Sequence, residues 1–318
     1  MYVPGELLVT PATMAEKRPR FTVFHEADRN FFLIFLLICW LGVIMGFAPP
    51  AIQRFSGHAP YPAPLILEIH AVAFSSWLAL LTAQILLVRA RNTAVHMKLG
   101  MVAVVLVPIM AVSAYFSEIY TQRWHVAHPP NNFPFFIMPI FWVATFTLLA
   151  TAAIAARENP SAHKRLILLA TTIIVGAAYG RWWGDALEHW FGDGLGGMLI
   201  NTYAPTNLII LGALAYDLWT RGRLHWVYQI VVPAVLVAEI GTTLIYHSPA
   251  WPPLAALLVG RCSKCPLRTP PLQPPFECSN KAKIASRKSL RISHWLSCSA
   301  KTFSRLIFLK QRKGRHFD

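Results

Sequence analysis

Residues 31–48 read FFLIFLLICWLGVIMGFA, eighteen positions without a charged side chain. A run of that length spans a bilayer as a helix, because about 20 residues at a 1.5 Å rise match a hydrocarbon layer about 30 Å thick. No water reaches the backbone there, so the chain must satisfy its own hydrogen bonds, and a helix does so. Six further apolar stretches follow, which places spans at 31–49, 64–88, 97–116, 134–156, 165–183, 198–219 and 225–246. The expected fold is all-α: a polytopic membrane protein with seven transmembrane helices.

Composition agrees. Hydrophobic residues make up 55% of the chain and charged residues 14%, against about 25% charged in soluble domains. A net charge of +15 would suggest nucleic acid until it is located. Residues 1–259 carry 15 Lys and Arg against 12 Asp and Glu, whereas residues 260–318 carry 14 against Glu277 and Asp318. The membrane body is nearly neutral and no nucleic-acid partner is expected; the lipid bilayer is the expected partner. The sequence divides into an N-terminal segment (1–30), a transmembrane domain (31–250) and a basic, Cys-containing tail (251–318). No cleavable signal peptide is expected within the first 30 residues, which are polar and lack an apolar core before a cleavage site, so the segment from Phe31 reads as a retained first helix.

Short loops set the orientation. Lys17, Arg18, Arg20 and Arg29 precede the first span; Arg89, Arg91 and Lys98 lie in the second loop, Arg157, Lys164 and Arg165 in the fourth, Arg221 and Arg223 in the sixth. The intervening loops carry one each: Arg54, Arg123 and Arg181. The N-terminus is therefore expected in the cytoplasm and residue 247 outside. Prolines mark helix ends at Pro49-Pro50, Pro62, Pro64, Pro129-Pro130, Pro134 and Pro160, while Pro139, Pro205 and Pro233 fall inside spans, where kinks are tolerated.

From Arg261 the composition shifts to Ser, Lys, Arg, Pro and Cys without periodicity, the pattern of a disordered segment and of a frameshifted or unrelated extension. Cys262 and Cys265 form a C-x-x-C followed by Cys278, His294 and Cys298. Zinc sites begin with such pairs, but paired knuckles repeat the short spacing and this tail does not.

Ionisable side chains at membrane depth are costly and therefore functional candidates. Glu68 and His70 in the second span, Arg181 at the end of the fifth, Tyr203 and Asn207 in the sixth and Glu239 in the seventh fall at similar depth near the outer surface. They are read as a polar cavity in the outer leaflet, with a structural ion-paired cluster as the plainer alternative. Outer loops add Glu118, His125, His128, Asp185, Glu188 and His189. A His125-x-x-His128 pair suits a metal, although Pro129-Pro130 follows it. Arg181-Trp182-Trp183-Gly184-Asp185 reads as an interfacial aromatic anchor. On the cytoplasmic side His96 and His163 start helices; they could share a haem b, whereas His70 and His96 lie near opposite faces and could not. His70, Trp77 and Gln84 recur every seven residues and line one stripe of the second span, which faces protein or a cavity.

Three segments carry a family resemblance: Ile69-His70-Ala71-Val72-Ala73-Phe74-Ser75-Ser76-Trp77 leading to Gln84, His96-Met97-Lys98-Leu99-Gly100, and Ala162-His163-Lys164-Arg165-Leu166-Ile167-Leu168-Leu169-Ala170-Thr171. Together they resemble uncharacterised bacterial inner-membrane proteins in which a His-to-Gln helix, a His-Arg-x-Leu-Gly turn and a His-Lys-Arg-Leu helix start recur. Position 97 is Met where that family usually has Arg. The resemblance covers residues 30–250 and none of the tail. It implies a bundle in the bacterial inner membrane and brings no activity. The architecture is also loosely similar to cytochrome b561-like bundles. Three classes stay open: a non-enzymatic transporter or small-molecule sensor using the outer cavity; a membrane redox protein binding haem or quinone; and an intramembrane metal-dependent hydrolase with His70, His125 and His128 as ligands.

Overall fold

The computed structural model describes residues 21–127 and 133–260. His128, the basic tail and its Cys262, Cys265, Cys278 and Cys298 lie outside the described residues. Among those described, the chain is helical throughout, without a strand. Helix α1 is Asp28–Phe55, α2 Leu65–Arg89, α3 Thr93–Gly100, α4 Val102–Ala127, α5 Ile137–Ala155, α6 Pro160–Phe191, α7 Leu195–Arg221, α8 Trp226–His247 and α9 Trp251–Leu258; a 3₁₀ turn at Phe133–Phe136 leads into α5. Seven segments are long and apolar enough to cross a membrane, with α3 and α4 counted together as one. This is the architecture of a multi-pass membrane protein.

Sequence marks the helix starts. Asn159 caps α6, its Oδ1 accepting from the Ala162 amide at 3.2 Å, with Pro160 in the first turn. Proline suits that place because its missing N–H would have had no partner. Asn92 caps α3 through the Val95 amide, and His225, between α7 and α8, caps α8 through the Val227 amide. Gly222 ends α7 with φ 67°, the left-handed geometry glycine adopts without Cβ strain.

Several boundaries differ from the sequence expectation. Helix α1 continues through Pro49 and Pro50 to Phe55. Those prolines free the carbonyls four residues back, Met45 and Gly46, close to the end of the span, where interfacial water can serve them. Helix α6 runs on to Phe191, so Asp185, Glu188 and His189 sit on a helix that outruns the membrane rather than in a loop. Glu118 and His125 are on α4. The folded part also passes residue 250. Trp251, Ala255 and Val259 are buried with Ile119, Phe133 and Phe136, the Trp251 indole donates to the Pro134 carbonyl at 3.0 Å, and the Arg123 Nε donates to the Val259 carbonyl at 2.8 Å.

Helix α6 is the axis of the bundle. Of its most apolar window 61% is buried inside the protein, against 22–39% for the other six spans. It packs on α1, α5 and α7. Its approach to α1 is very close: a Cβ on Gly46 would lie 2.2 Å from the Ala178 carbonyl oxygen. The Tyr179 hydroxyl donates to the Ile38 carbonyl at 2.9 Å across the same contact. Large apolar side chains instead point outward from the peripheral helices, among them Leu37, Leu41 and Ile44 on α1 and Leu236, Val237 and Ile240 on α8. A surface of that kind suits lipid, because burial inside protein and burial in acyl chains remove the same apolar area from water.

Candidate functional site

The three motif segments converge. Trp77 on α2 is buried and donates from Nε1 to Thr171 Oγ1 on α6 at 3.2 Å. Seven residues on, the Gln84 amide faces Gly100 of α3: a Cβ there would come within 3.4 Å of Gln84 Nε2. The His96 imidazole interacts with the Gln84 backbone and lies within electrostatic reach of His163. Trp77 and Gln84 of the stripe therefore face protein, and Gln84, His96 and His163 lie toward the end of the bundle that carries Asp28. His163 Nδ1 is 2.8 Å from the Ala153 carbonyl oxygen. Both polar atoms of Gln84 and Nδ1 of His96 are buried without a hydrogen-bond partner.

The two residues after His163 turn elsewhere, since successive helical positions point about 100° apart. Arg165 forms a bidentate pair with Asp217 on α7, Nε to Oδ2 at 2.8 Å and Nη2 to Oδ1 at 2.5 Å, and both side chains are 2% exposed. Its Nη1 donates to the carbonyl and hydroxyl of Ser161. Lys164 reaches Asp28 at the start of α1, at 2.7 Å. Arg221 also holds Asp28, through both carboxylate oxygens at 2.9 Å, and stands 3.5 Å from Asp217. The Tyr216 hydroxyl donates to Asp28. The ring of Phe21 covers Arg165, Arg221 and Arg223 at 4.7, 5.6 and 5.5 Å. Every charge here has a partner, so the cluster ties α1, α6 and α7 together. Beside it, burial and the Arg165 charge hold the His225 imidazole down at about 4.

At the opposite end the expected cavity divides in two. His70 and Arg181 lie within electrostatic reach of each other, and Arg181 likewise of Glu118 and Tyr61. Arg181, itself exposed, donates to the Ala177 carbonyl at 2.7 Å and sits over the Phe47 ring at 4.8 Å. Glu118 accepts from Gln122 at 2.8 Å and also feels His125. His70 Nδ1 and the Oε1 of Gln122, a residue only 4% exposed, are buried and unpartnered. Glu118 borders a groove of about 520 Å³ between α4 and α5, kept open by the small side chains of Ala111, Ala114 and Ala144. Glu68 is exposed and joins neither group.

Glu239, Asn207 and Tyr203 form the second group. Glu239 is 2% exposed and accepts from Asn207 Nδ2 at 2.8 Å. The expected cationic partner, His70 or Arg181, is not the one found: among the described residues Glu239 makes no ion pair. Its Oε1 and the Asn207 Oδ1 have no partner. Tyr203 is 1% exposed and its hydroxyl lies 3.2 Å from Met138 Sδ.

Among the described residues no three His, Cys, Asp or Glu side chains gather as metal ligands, so the described part of the hydrolase reading, His70 with His125, does not form such a group. The sequence reading passed over Asp217 and Gln122 and set Glu118 apart from the cavity. Asp217 had a signal: it is a carboxylate inside the sixth span, one turn before Arg221. Glu118 was placed in a loop because the third span was ended early, at residue 116. No family model, curated protein or solved structure matches the chain.

Proposed function

We propose that this is a multi-pass protein of a bacterial inner membrane, N-terminus in the cytoplasm, that binds a small polar molecule at His70, Glu118, Gln122 and Arg181 for transport or sensing. The Lys and Arg bias of the loops supports the orientation, and the motif resemblance supports the membrane. The observation that carries the binding reading is a pair of unpartnered buried atoms, His70 Nδ1 and Gln122 Oε1, with Arg181 in electrostatic reach of His70 and of Glu118, the residue to which Gln122 donates. An unsatisfied buried polar atom costs about 1–3 kcal/mol, and a ligand that meets both recovers that cost.

The test has two parts. In a background with the five cysteines replaced by serine, Tyr61→Cys is treated in intact cells with a membrane-impermeant thiol reagent, and labelling from outside is expected. Purified protein is then screened by thermal shift against small amino acids, carboxylates and amines. A ligand that raises the melting temperature of the wild type should fail to do so with Arg181→Gln. Labelling only in inverted vesicles would overturn the orientation, and a stabilisation that survives both Arg181→Gln and His70→Ala would overturn the site.

A further inference from the structure

Glu239 on α8 is buried without a cationic partner among the described residues. The side chain is 2% exposed, and Asn207 Nδ2 on α7 donates to its Oε2 at 2.8 Å. The second oxygen of the carboxylate, Oε1, and the amide oxygen of Asn207, Oδ1, are both buried and both without a partner. Each is an acceptor. The contact therefore lacks positive charge, and an ionised carboxylate buried without a counter-charge is costly.

The neighbouring elements do not supply that charge. Helix α8 packs on α5, α6, α7, α9 and the 3₁₀ turn, and α5, α9 and the turn carry no titratable side chain. Helix α7 presents Tyr203, one turn before Asn207, with its hydroxyl at Met138 Sδ; its Tyr216, Asp217 and Arg221 belong to the cluster around Asp28 and Arg165. On α6, Tyr179 and Arg181 turn to Ile38 and Phe47 of α1. The same helix holds His163, Lys164 and Arg165 on Ala153, Asp28 and Asp217, and leaves Asp185, Glu188 and His189 exposed. On α8 itself Tyr228 faces Arg165. Tyr246 and His247 follow about two turns after Glu239, and both ring nitrogens of His247 lie at backbone carbonyls, those of Thr243 and Asp193.

We propose that Glu239 and Asn207 hold an exchangeable monovalent cation, a proton or a sodium ion, within the membrane. Either source meets the same need, because it neutralises the carboxylate. A proton on Oε1 turns a bare acceptor into a donor, whereas a sodium ion takes up oxygen lone pairs. A single carboxylate matches a monovalent ion better than calcium, whose sites gather several charged ligands. Ionisable side chains at this depth mark ion and proton pathways. This inference is independent of the binding site at His70 and Arg181.

The experiment uses the full-length chain in detergent and infrared difference spectroscopy of the carboxyl C=O stretch. One arm moves the buffer from mildly acidic to mildly alkaline without sodium. The other exchanges N-methylglucamine for sodium at fixed pH and ionic strength. The wild type should show a protonated-carboxyl band that is lost in the first arm if the exchanged cation is a proton, and in the second if sodium displaces it. Glu239→Gln should remove the band, Asn207→Leu should shift it, and Glu68→Gln should leave it unchanged. Helical circular dichroism and elution volume establish that each variant is folded; if Glu239→Gln fails, Glu239→Asp takes its place and should move the band. A Glu239 band that neither arm alters means a locked structural proton and overturns the proposal. So does the absence of any Glu239-dependent change in both arms.

Discussion

Asp217→Leu should be among the most damaging single substitutions in the bundle. Its carboxylate accepts from Arg165 Nε at 2.8 Å and Nη2 at 2.5 Å, and both side chains are 2% exposed. Hydrogen bonds to charged groups contribute about 1.5–3 kcal/mol each, and removing one partner of a buried pair typically costs about 3–5 kcal/mol because the other charge is left uncompensated. Two features limit the loss. Ser161 still accepts from Arg165 Nη1, and the rings of Phe21 and Tyr228 still face the guanidinium at 4.7 and 5.7 Å. The expectation is therefore about 3–4 kcal/mol. Adding Arg165→Leu should recover part of it, since a buried pair replaced by apolar groups is often near neutral. The assay is reversible unfolding in mixed micelles with increasing SDS, followed by helical circular dichroism, over the four members of the double-mutant cycle. A cost below about 1 kcal/mol for Asp217→Leu, or single costs that simply add in the double mutant, would refute the reasoning.

Glu239→Gln should change stability by less than about 1 kcal/mol, whereas Glu239→Leu should cost about 1–3 kcal/mol by stranding Asn207 Nδ2; the same unfolding assay compares them. Gly46→Ala should cost at least about 1–3 kcal/mol, because its Cβ meets backbone rather than a movable side chain, while Gly241→Ala, with nothing near its Cβ, should be neutral or slightly stabilising. His225 gives a pH dependence. The folded imidazole is held at about 4 against about 6.5 unfolded, so between those values the unfolded chain binds more protons. Stability is full above pH 6.5 and falls by up to about 3 kcal/mol as pH drops toward 4. His225→Asn keeps a capping side chain and should remove that part of the slope in melts recorded across the window.

The span count was legible because bilayer thickness acts on every stretch of chain separately: eighteen uncharged apolar residues state their environment without reference to any neighbour. Helix ends were legible where the signal is chemical, as at Asn159-Pro160, and misread where a proline was taken as a stop. Pro49 and Pro50 remain helical in α1, since a helix near the membrane surface can lose two hydrogen bonds to water without ending. Depth along each span could be read, and His70 and Arg181 are within electrostatic reach of one another. Azimuth could not be read with the same security, and Glu239, at comparable depth, turned toward Asn207 instead.

The sequence by itself determined that the chain is a helical membrane bundle, which residues are costly at depth, and that His163-Lys164-Arg165 begins a helix. Only the tertiary structure decided that these three neighbours serve three different helices: His163 turns to Ala153 of α5, Lys164 to Asp28 of α1 and Arg165 to Asp217 of α7. The reason is physical. Hydropathy and capping are properties of a segment, whereas the partner of a side chain depends on the rotation and packing of helices far away in the chain, as Arg165 and Asp217 are, 52 residues apart.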